Sequence, residues 1–391
     1  MNVICLGGAG RICREAALDL VLHSDFDRIT IADVSEEVGL EVASWLGNHR
    51  VDFVKLDIHD RSKAVDILKE YDIVLDGTTI SLNKATTELI AQAGCHGLNL
   101  NGFGEEYQFS DTFKAKGKLF VPGFGMTPGT TNMMAKQACD AMESVESVRV
   151  SHGAFRPIAF SASITETTTY EYDPDLPGRV VFENGHFVQV RPFARPRVIK
   201  LPRPYPALEQ YIIPHSETVT LAEYLKDKGV RLIEVRGSWP EKNMQLVRAL
   251  YDWGFMKNER VSVKGAEFGI MEAVGAYLMN SEHGRTTDLY GYALHVEVVG
   301  VREGRRICYT LTHTHPASDG SEPGWEGLRA YTRNVAIPFA IGAILMAKGK
   351  ASGTGARIPE KVFEPEDVFE ELAKRQILIH SEVEEIASDE E

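Results

Sequence analysis

The sequence predicts an α/β fold, with a doubly wound parallel sheet followed by a second α+β domain whose sheet is mainly antiparallel. Three observations carry this. Short apolar strands alternate with helical patterns through the first third of the chain. After about Met142 the pattern changes to longer strands joined by hairpin signals. After about Gly324 strongly helical, apolar sequence returns.

The first strand is the apolar run Val3–Leu6, and Arg11–Leu22 repeats Ala16, Ala17, Leu20 and Val21 at helical spacing. The strand Arg28–Ala32, a helix from Ser35 to about Gly47 and the strand Val51–Leu56 follow. A helix over Ser62–Glu70 leads to the strand Asp72–Leu75, then a helix over Asn83–Ala93 and strands at Gly97–Leu100 and Lys118–Val121. Six short strands alternating with helices are the expectation for a Rossmann-type dinucleotide domain. Beyond Met142, Val145–Ser151, Arg179–Val190, Arg231–Val235, Gly291–Val301 and Arg305–His313 read as longer strands. Asn184-Gly185 and Glu303-Gly304 are hairpin turns, because both pairs suit positive φ. Arg191–Pro214, rich in Pro and Arg, reads as an extended connector, and the closing SEVEEIASDEE as a solvated acidic tail. The expected division is a nucleotide domain over 1–125, a second domain over 126–325 and a return of helical pattern over 326–391.

Composition narrows the function classes. With 42 Lys and Arg against 56 Asp and Glu the net charge is −14, which argues against nucleic acid or an anionic membrane as partner. No apolar run reads as a bilayer span, and no secretory leader is visible. Five scattered cysteines, never in a C-x-x-C pair, argue against a disulfide framework or a metal cage and for a cytoplasmic setting.

The turn after the first strand reads G-x-G-x-x-C, with Gly8, Gly10 and Cys13. Gly8 permits the tight turn, Gly10 lets backbone approach a pyrophosphate, and Arg11 and Ile12 open a helix whose free N–H groups favour phosphate. Cys13 stands where Gly or Ala is usual, an expected small loosening of helix–strand packing. Asp33 ends the second strand, where a carboxylate bonds the ribose hydroxyls of NAD and repels the 2′-phosphate of NADP. Ser35, Glu36 and Glu37 add no compensating cation. Gly77, Thr78 and Thr79, after the fourth strand, suit the nicotinamide ribose; Ser81 or Asn83 there also suits a helix cap. Asp57 and Ile58 suit an adenine contact or a plain strand-end turn, and Pro128 and Gly129 precede a helix whose N–H groups face cofactor or substrate.

These pieces in this order resemble the saccharopine dehydrogenase-like family, and within it the lysine 6-dehydrogenases. The resemblance is carried by GGAGRIC with ITIADVS, DGTTISLN followed by GCHGLNLNG, GFGMTPGTTNMMA, YEYDPDLPGRVVFENGHFVQVRP, RGSWPEKNMQLVRALYDWGF and AIPFAIGAILMAKGK. It implies a nicotinamide-dependent enzyme acting on a C–N bond, a discontinuous nucleotide domain in which helices of 326–391 complete 1–125, and a substrate domain over 126–325 that also forms a homodimer. SHGAFRP and THTHP depart from the family pattern and both fall in the substrate domain.

Oxidising an amine needs a proton acceptor, an oriented carbon and, for an amino acid, an anchor for its carboxylate. His152 is the first candidate base, with Glu166 and Tyr170 behind it in the polar run SITETTTYEYD. Tyr172, Asp173 and His313 are candidates for holding substrate, and His315 is a further candidate base. Arg236, in EVRGSWP, suits a substrate carboxylate, with an ion pair to Glu234 or Glu241 as the structural alternative. The expectation is NAD-dependent oxidative deamination of a small-molecule amine or amino acid such as L-lysine, with no metal. Two alternatives stand: reductive joining of an amine to a keto acid, as in saccharopine- or carboxyspermidine-type dehydrogenases, with Arg191, Arg195, Arg197 and Arg203 as carboxylate anchors; and an NAD-binding sensor without turnover.

Overall fold

The computed structural model describes residues 1–159, 161–257, 259–314 and 324–387. The chain forms two units, Met1–Met133 with Thr332–Arg375, and Met134–Tyr331 with Gln376–Glu391.

In the first unit β1 (Asn2–Leu6), β2 (Arg28–Asp33), β3 (Val51–Lys55), β4 (Ile73–Asp76), β5 (His96–Asn99) and β6 (Leu119–Val121) alternate with α1 (Arg11–His23), α2 (Glu36–Leu46), α3 (Arg61–Leu68), α4 (Asn83–Ala93) and α5 (Ser110–Ala115). The helix α6 (Thr130–Asp140) leads into the second unit, which holds β7 (Ser144–Phe155), α7 (Ala162–Tyr172), β8 (Val180–Glu183), β9 (His186–Gln189), β10 (Arg197–Ile199), β11 (Leu208–Ile212), α8 (Glu217–Tyr224), β12 (Leu232–Ser238), α9 (Glu241–Asp252), β13 (Arg260–Val263), β14 (Ala266–Gly269), α10 (Ile270–Met279), β15 (Gly291–Arg302) and β16 (Arg305–Thr314). The long helix α11 (Leu328–Ala347) returns the chain to the first unit, with β17 (Gly355–Ala356) and α12 (Pro365–Ala373), and β18 (Leu378–Glu385) closes the second.

The first sheet is parallel in the order β17-β6-β5-β4-β1-β2-β3. The strand order reverses between β1 and β4, the place where such sheets bind ligands. Strands buried on both faces explain the near-continuous apolar runs at Val3–Leu6 and Ile73–Leu75. The short β17 is a seventh strand beyond the six expected. After α12, Arg375 is buried and joins Asp19 of α1 at 2.7 Å and Glu371 at 2.7 Å, tying the end of this unit to its first helix.

The second sheet runs β10-β11-β12-β7-β15-β16-β18, with the β8–β9 hairpin on β12; only β12 and β7 pair in parallel. Both expected hairpins form, with Asn184 and Gly185 at φ 48° and 87° and Glu303 and Gly304 at 52° and 71°.

Three expectations need correction, and one run left unassigned proves to be a helix. The connector Arg191–Pro214 contains β10 and β11, because its prolines fall between the paired residues and leave the ladder donors intact. The polar run after Ser161 is the helix α7. Thr165, Thr167, Thr168 and Thr169 each turn the hydroxyl back onto the carbonyl four residues earlier, so hydroxyls that usually oppose a helix are absorbed by it. The acidic tail is largely strand: β18 pairs with β16 from Leu378 to Glu385 and belongs to the second unit. Finally, one run does have the length and apolarity of a bilayer span: α11 has 20 residues and a mean hydropathy of 1.3. Some 83% of that window is buried inside the protein, so its apolarity serves the core.

Candidate functional site

Two groups of residues meet the criteria of a site, one in each unit.

In the first unit the glycine turn leaves β1 and enters α1. A Cβ on Gly8 would stand 2.7 Å from the Cys5 carbonyl oxygen, so nothing larger than glycine fits. The N-terminus of α1 has no side-chain cap and no acid in its first turn, the setting that a helix start offers to an anion. Asp33 lies at the end of β2, and its carboxylate accepts the Ala9 N–H at 3.2 Å and the Ser35 N–H at 3.1 Å. It is thereby held against the glycine turn. Cys13 does not loosen the packing. It is buried, and a Cβ on Gly77 would meet its Cβ and Sγ at 2.8 Å, so Gly77 supplies the space that a third glycine usually gives. Gly77 and Thr78 therefore belong to the same cradle as Gly8 and Gly10. The Thr78 hydroxyl donates to Asp76 at 2.6 Å, and Asp76 is buried and also accepts from Thr86. Burial raises the Asp76 carboxyl above its ordinary value, against the pull of those hydroxyls. Thr79 meets Ser81 at 3.0 Å.

Asp57 is exposed and accepts the His59 N–H at 2.9 Å, while Ile58 is buried; this is the strand-end turn of the two readings. Pro128 and Gly129 are buried and their polar groups are engaged within their own loop. The Pro128 carbonyl accepts from Gly125 at 2.7 Å, and Gly129 donates to the Asn132 side chain at 2.7 Å. These bonds fix the loop that leads into α6. A buried network went unnoticed in the sequence. Asn99 donates to Asn83 at 2.7 Å and to Glu106 at 3.0 Å, and Glu106 also holds the N–H groups of Gly102 and Gly104. Isolated Asn and Glu in loop sequence carry no signal of such convergence.

In the second unit His152 lies on β7 opposite Gly237 of β12 and Leu294 of β15. A Cβ on Gly237 would stand 2.7 Å from His152 Cε1, so that glycine exists to admit the imidazole. His152 is 5% exposed, and its Nδ1 has no hydrogen-bond partner. Its ring stacks on His215 at 5.3 Å and tilts against Tyr292 at 5.9 Å, and the Tyr292 hydroxyl meets that of Tyr331 at 3.1 Å. His215 sits between two carboxylates, Glu171 at 3.6 Å and Glu217 at 3.6 Å. Burial by itself lowers His215, but the two carboxylates outweigh it and push the imidazole up to about 10. Burial, reinforced by the charged His215, holds His152 down to about 3. The pair thus contains one charged and one neutral ring in contact.

Glu166 and Tyr170 share α7 with Glu171 but not its direction. At 3.6 residues per turn Glu166 points roughly 140° away from Glu171, and it is Glu171 that reaches His215. Tyr172 is buried against Phe193 and Trp239, and Asp173 spends an oxygen on the Asp175 N–H at 2.8 Å. His313 is buried on β16, where its Nδ1 accepts the Leu294 N–H at 3.3 Å. His315 lies outside the described residues.

Arg236 requires correction. It is buried and its guanidinium grips Glu234 through two bonds of 2.9 Å, with Nη1 on the Arg195 carbonyl. It is also one residue before Gly237, so it projects from the opposite face of the sheet from His152. Arg195 is paired with Glu183, and Arg197 stands 3.8 Å from Glu234. Sequence reasoning also missed His215, Glu217 and Glu171. The helical period through SITETTTYEYD is the signal that would have favoured Glu171; His215, in IIPHSET, had none. Among the described residues no set of three His, Cys, Asp or Glu side chains is placed to hold a metal. The second unit also holds a cleft of about 470 Å³ walled by Phe193, Tyr211, Trp239, Met244 and Arg248, a volume in the range of small-molecule sites.

Two family models match: the saccharopine dehydrogenase NADP-binding domain over residues 3–121 and the saccharopine dehydrogenase C-terminal domain over residues 125–378. Among solved structures, the saccharopine dehydrogenase (L-Glu forming) of Saccharomyces cerevisiae aligns at a TM-score of 0.73 and 14% identity, over 98% of this chain and 99% of that one. The homospermidine synthase of Legionella pneumophila, in complex with NAD, aligns at a TM-score of 0.65 and 14% identity, over 98% of this chain and 91% of that one. At this identity the two establish a shared fold.

Proposed function

The chain belongs to the saccharopine dehydrogenase family of NAD(P)-binding oxidoreductases, and from that premise we propose that it catalyses NAD-dependent oxidative deamination of an amino acid such as L-lysine, giving an imine or semialdehyde. The observation that carries this reading is the buried pair His152–His215 between Glu171 and Glu217, a proton-handling cluster in the unit matched by the family's C-terminal domain. Gly8, Gly10, Asp33, Gly77 and Thr78 would hold the dinucleotide, whose pyrophosphate fits the turn that a Cβ on Gly8 would fill. When bound, the dinucleotide supplies the hydride acceptor. Asp33, with no cation among Ser35, Glu36 and Glu37, favours NAD over NADP.

The protein's own residues manage the proton. His152 Nδ1 is the open position and stays uncharged while His215 carries a charge. A proton reaching His152 is retained only if His215 passes its own to Glu171 or Glu217, so the cluster takes up the proton as a unit. His152→Asn keeps a polar group but removes the acceptor. Turnover is expected to fall at least about 100-fold, the usual worth of general-base catalysis, with NAD affinity unchanged. Equal turnover in steady-state assays sinks the role.

The reductive reading keeps one supporting observation: both aligned structures are named for enzymes other than amine deaminases, a saccharopine dehydrogenase and a homospermidine synthase. Absorbance at the NADH band decides the direction. A rise with NAD⁺ and lysine at alkaline pH supports deamination. Consumption of NADH only with paired amine and carbonyl substrates supports condensation. Bound NADH with no turnover in either direction supports the sensor. We further propose a cytoplasmic homodimer, to be checked by light scattering.

A further inference from the structure

We propose that the buried carboxylate of Glu106 makes the nicotinamide end of the dinucleotide site prefer the positively charged oxidised ring to the neutral reduced one. The proposal rests on the reading of the glycine turn as the dinucleotide site. Leu6, Asp76 and Asn99, the last residues of β1, β4 and β5, pair side by side across the three strands. The glycine turn, the 77–79 segment and the loop after Asn99 therefore leave the sheet at one level. In a doubly wound sheet the dinucleotide lies across the carboxyl ends where the strand order reverses, here between β1 and β4. Asp33, assigned to the adenosine ribose, ends β2 on one side of that point. The nicotinamide half then belongs on the other side, outside the ends of β4 and β5.

Glu106 is the centre of the network behind those ends, and it is fully buried. Its Oε1 accepts from the Asn83 side chain at 3.0 Å, the Asn99 side chain at 3.0 Å and the Gly102 N–H at 3.2 Å, and its Oε2 accepts the Gly104 N–H at 2.9 Å. Four N–H donors on two oxygens is the pattern of an ionised carboxylate, since a carboxylic acid must place a proton of its own. The four donors are amides. They orient and desolvate the negative charge without neutralising it. Burial is what first raises the Asp76 carboxyl, and the charge of Glu106 adds to it, so that charge is felt at the end of β4. Asn99 extends the network to the neighbouring strand ends, accepting the N–H groups of Asn101 at 3.2 Å and Gly123 at 3.0 Å. A charge fixed in such a setting acts on a nearby cation more strongly than it does in water. The oxidised and reduced nicotinamide rings differ by one unit of positive charge, so the fixed carboxylate separates them in energy. Tighter NAD⁺ and looser NADH suit an enzyme that takes up the oxidised form and releases the reduced one.

The test is calorimetric titration of the full chain with NAD⁺, with NADH and with ADP-ribose, which lacks the nicotinamide. Wild type is expected to bind NAD⁺ at least as tightly as NADH. Glu106→Gln removes the charge and nearly keeps the shape. It is expected to lower the ratio of NAD⁺ to NADH affinity about 10-fold, the scale of a unit charge acting over roughly 10 Å in a protein, and to leave ADP-ribose unchanged. Glu106→Asp keeps the charge and is expected to keep the ratio, even where its shorter side chain weakens both nucleotides. A merely structural role moves all three ligands together and leaves the ratio alone. An unchanged ratio in Glu106→Gln, or a wild type that prefers NADH, overturns the proposal. Loss of ADP-ribose binding reveals a variant that has not folded, and the wild-type ratio then decides by itself. A wild type that binds none of the three overturns the dinucleotide site and this proposal together. A ratio that depends on Glu106, with no turnover of any amine, upholds the proposal and sinks the deamination reading alone.

Discussion

At the scale of single residues, charge and close contact decide the outcome. Asp33 accepts two backbone N–H groups, which hold its carboxylate beside the glycine turn. Asp33→Ala should weaken NAD binding about 10- to 100-fold, the worth of one or two bonds to a charged group, and should reduce the preference over NADP. Fluorescence titration with both nucleotides checks it; an unchanged preference rejects the role. The histidine pair makes a sharper statement. Glu171→Gln removes one of the carboxylates that hold His215 up, so the His215 pKa should fall from about 10, while His152 should stay well below the ordinary imidazole value because burial is its first cause and His215 is still charged where His152 titrates. Imidazole resonances followed against pH read both; an unmoved His215 rejects the role of Glu171. Glu171 itself shows how legible a site residue can be: the right stretch was visible, and the wrong members of it, Glu166 and Tyr170, attracted attention because helical direction was not applied.

At the scale of elements, pairing explains what periodicity left open. The strand β12 presents Arg236 and Glu234 to one face and Gly237 to the other, and a side chain's face decides whether it can serve the histidines. Arg236→Met should leave the KM for amine substrates unchanged. It should also cost up to about 3 kcal/mol of stability, because buried Glu234 loses its two-bond partner and keeps only the longer contacts to Arg149 and Arg197. Thermal denaturation and steady-state kinetics separate the two effects. The helix α7 was hidden by its threonines and β18 by its acids, since both compositions favour solvent in isolation. The partner strand β16 is a tertiary fact that no local window contains.

At the scale of the whole molecule, titration and topology set the limits. His215 is held above its unfolded value of about 6.5, so its contribution is complete below that pH and is lost as pH rises toward 10. His152 is held below the same value, so stability falls as pH drops from about 6.5 toward 3. Glu371, despite burial, is held down to about 2 by Lys348, Arg375 and Lys374, and adds a further loss as pH falls below the ordinary carboxylate range. The stability of the chain is therefore expected to peak near neutral pH. Denaturant midpoints between pH 3 and 10 measure this, and Glu217→Gln should flatten the alkaline limb.

What the sequence determined by itself was the part written in local patterns. The strand–glycine–helix turn with Asp33, the parallel βαβ succession and the two hairpins each depend on backbone conformation and on apolar period, which neighbouring residues encode. Gly77 making room for Cys13, His215 between Glu171 and Glu217, and Arg236 turned away from His152 were decided only by the tertiary structure. Each depends on which strands lie side by side and which face a side chain takes, and register between distant segments is set by the packing of the whole unit rather than by any stretch of sequence.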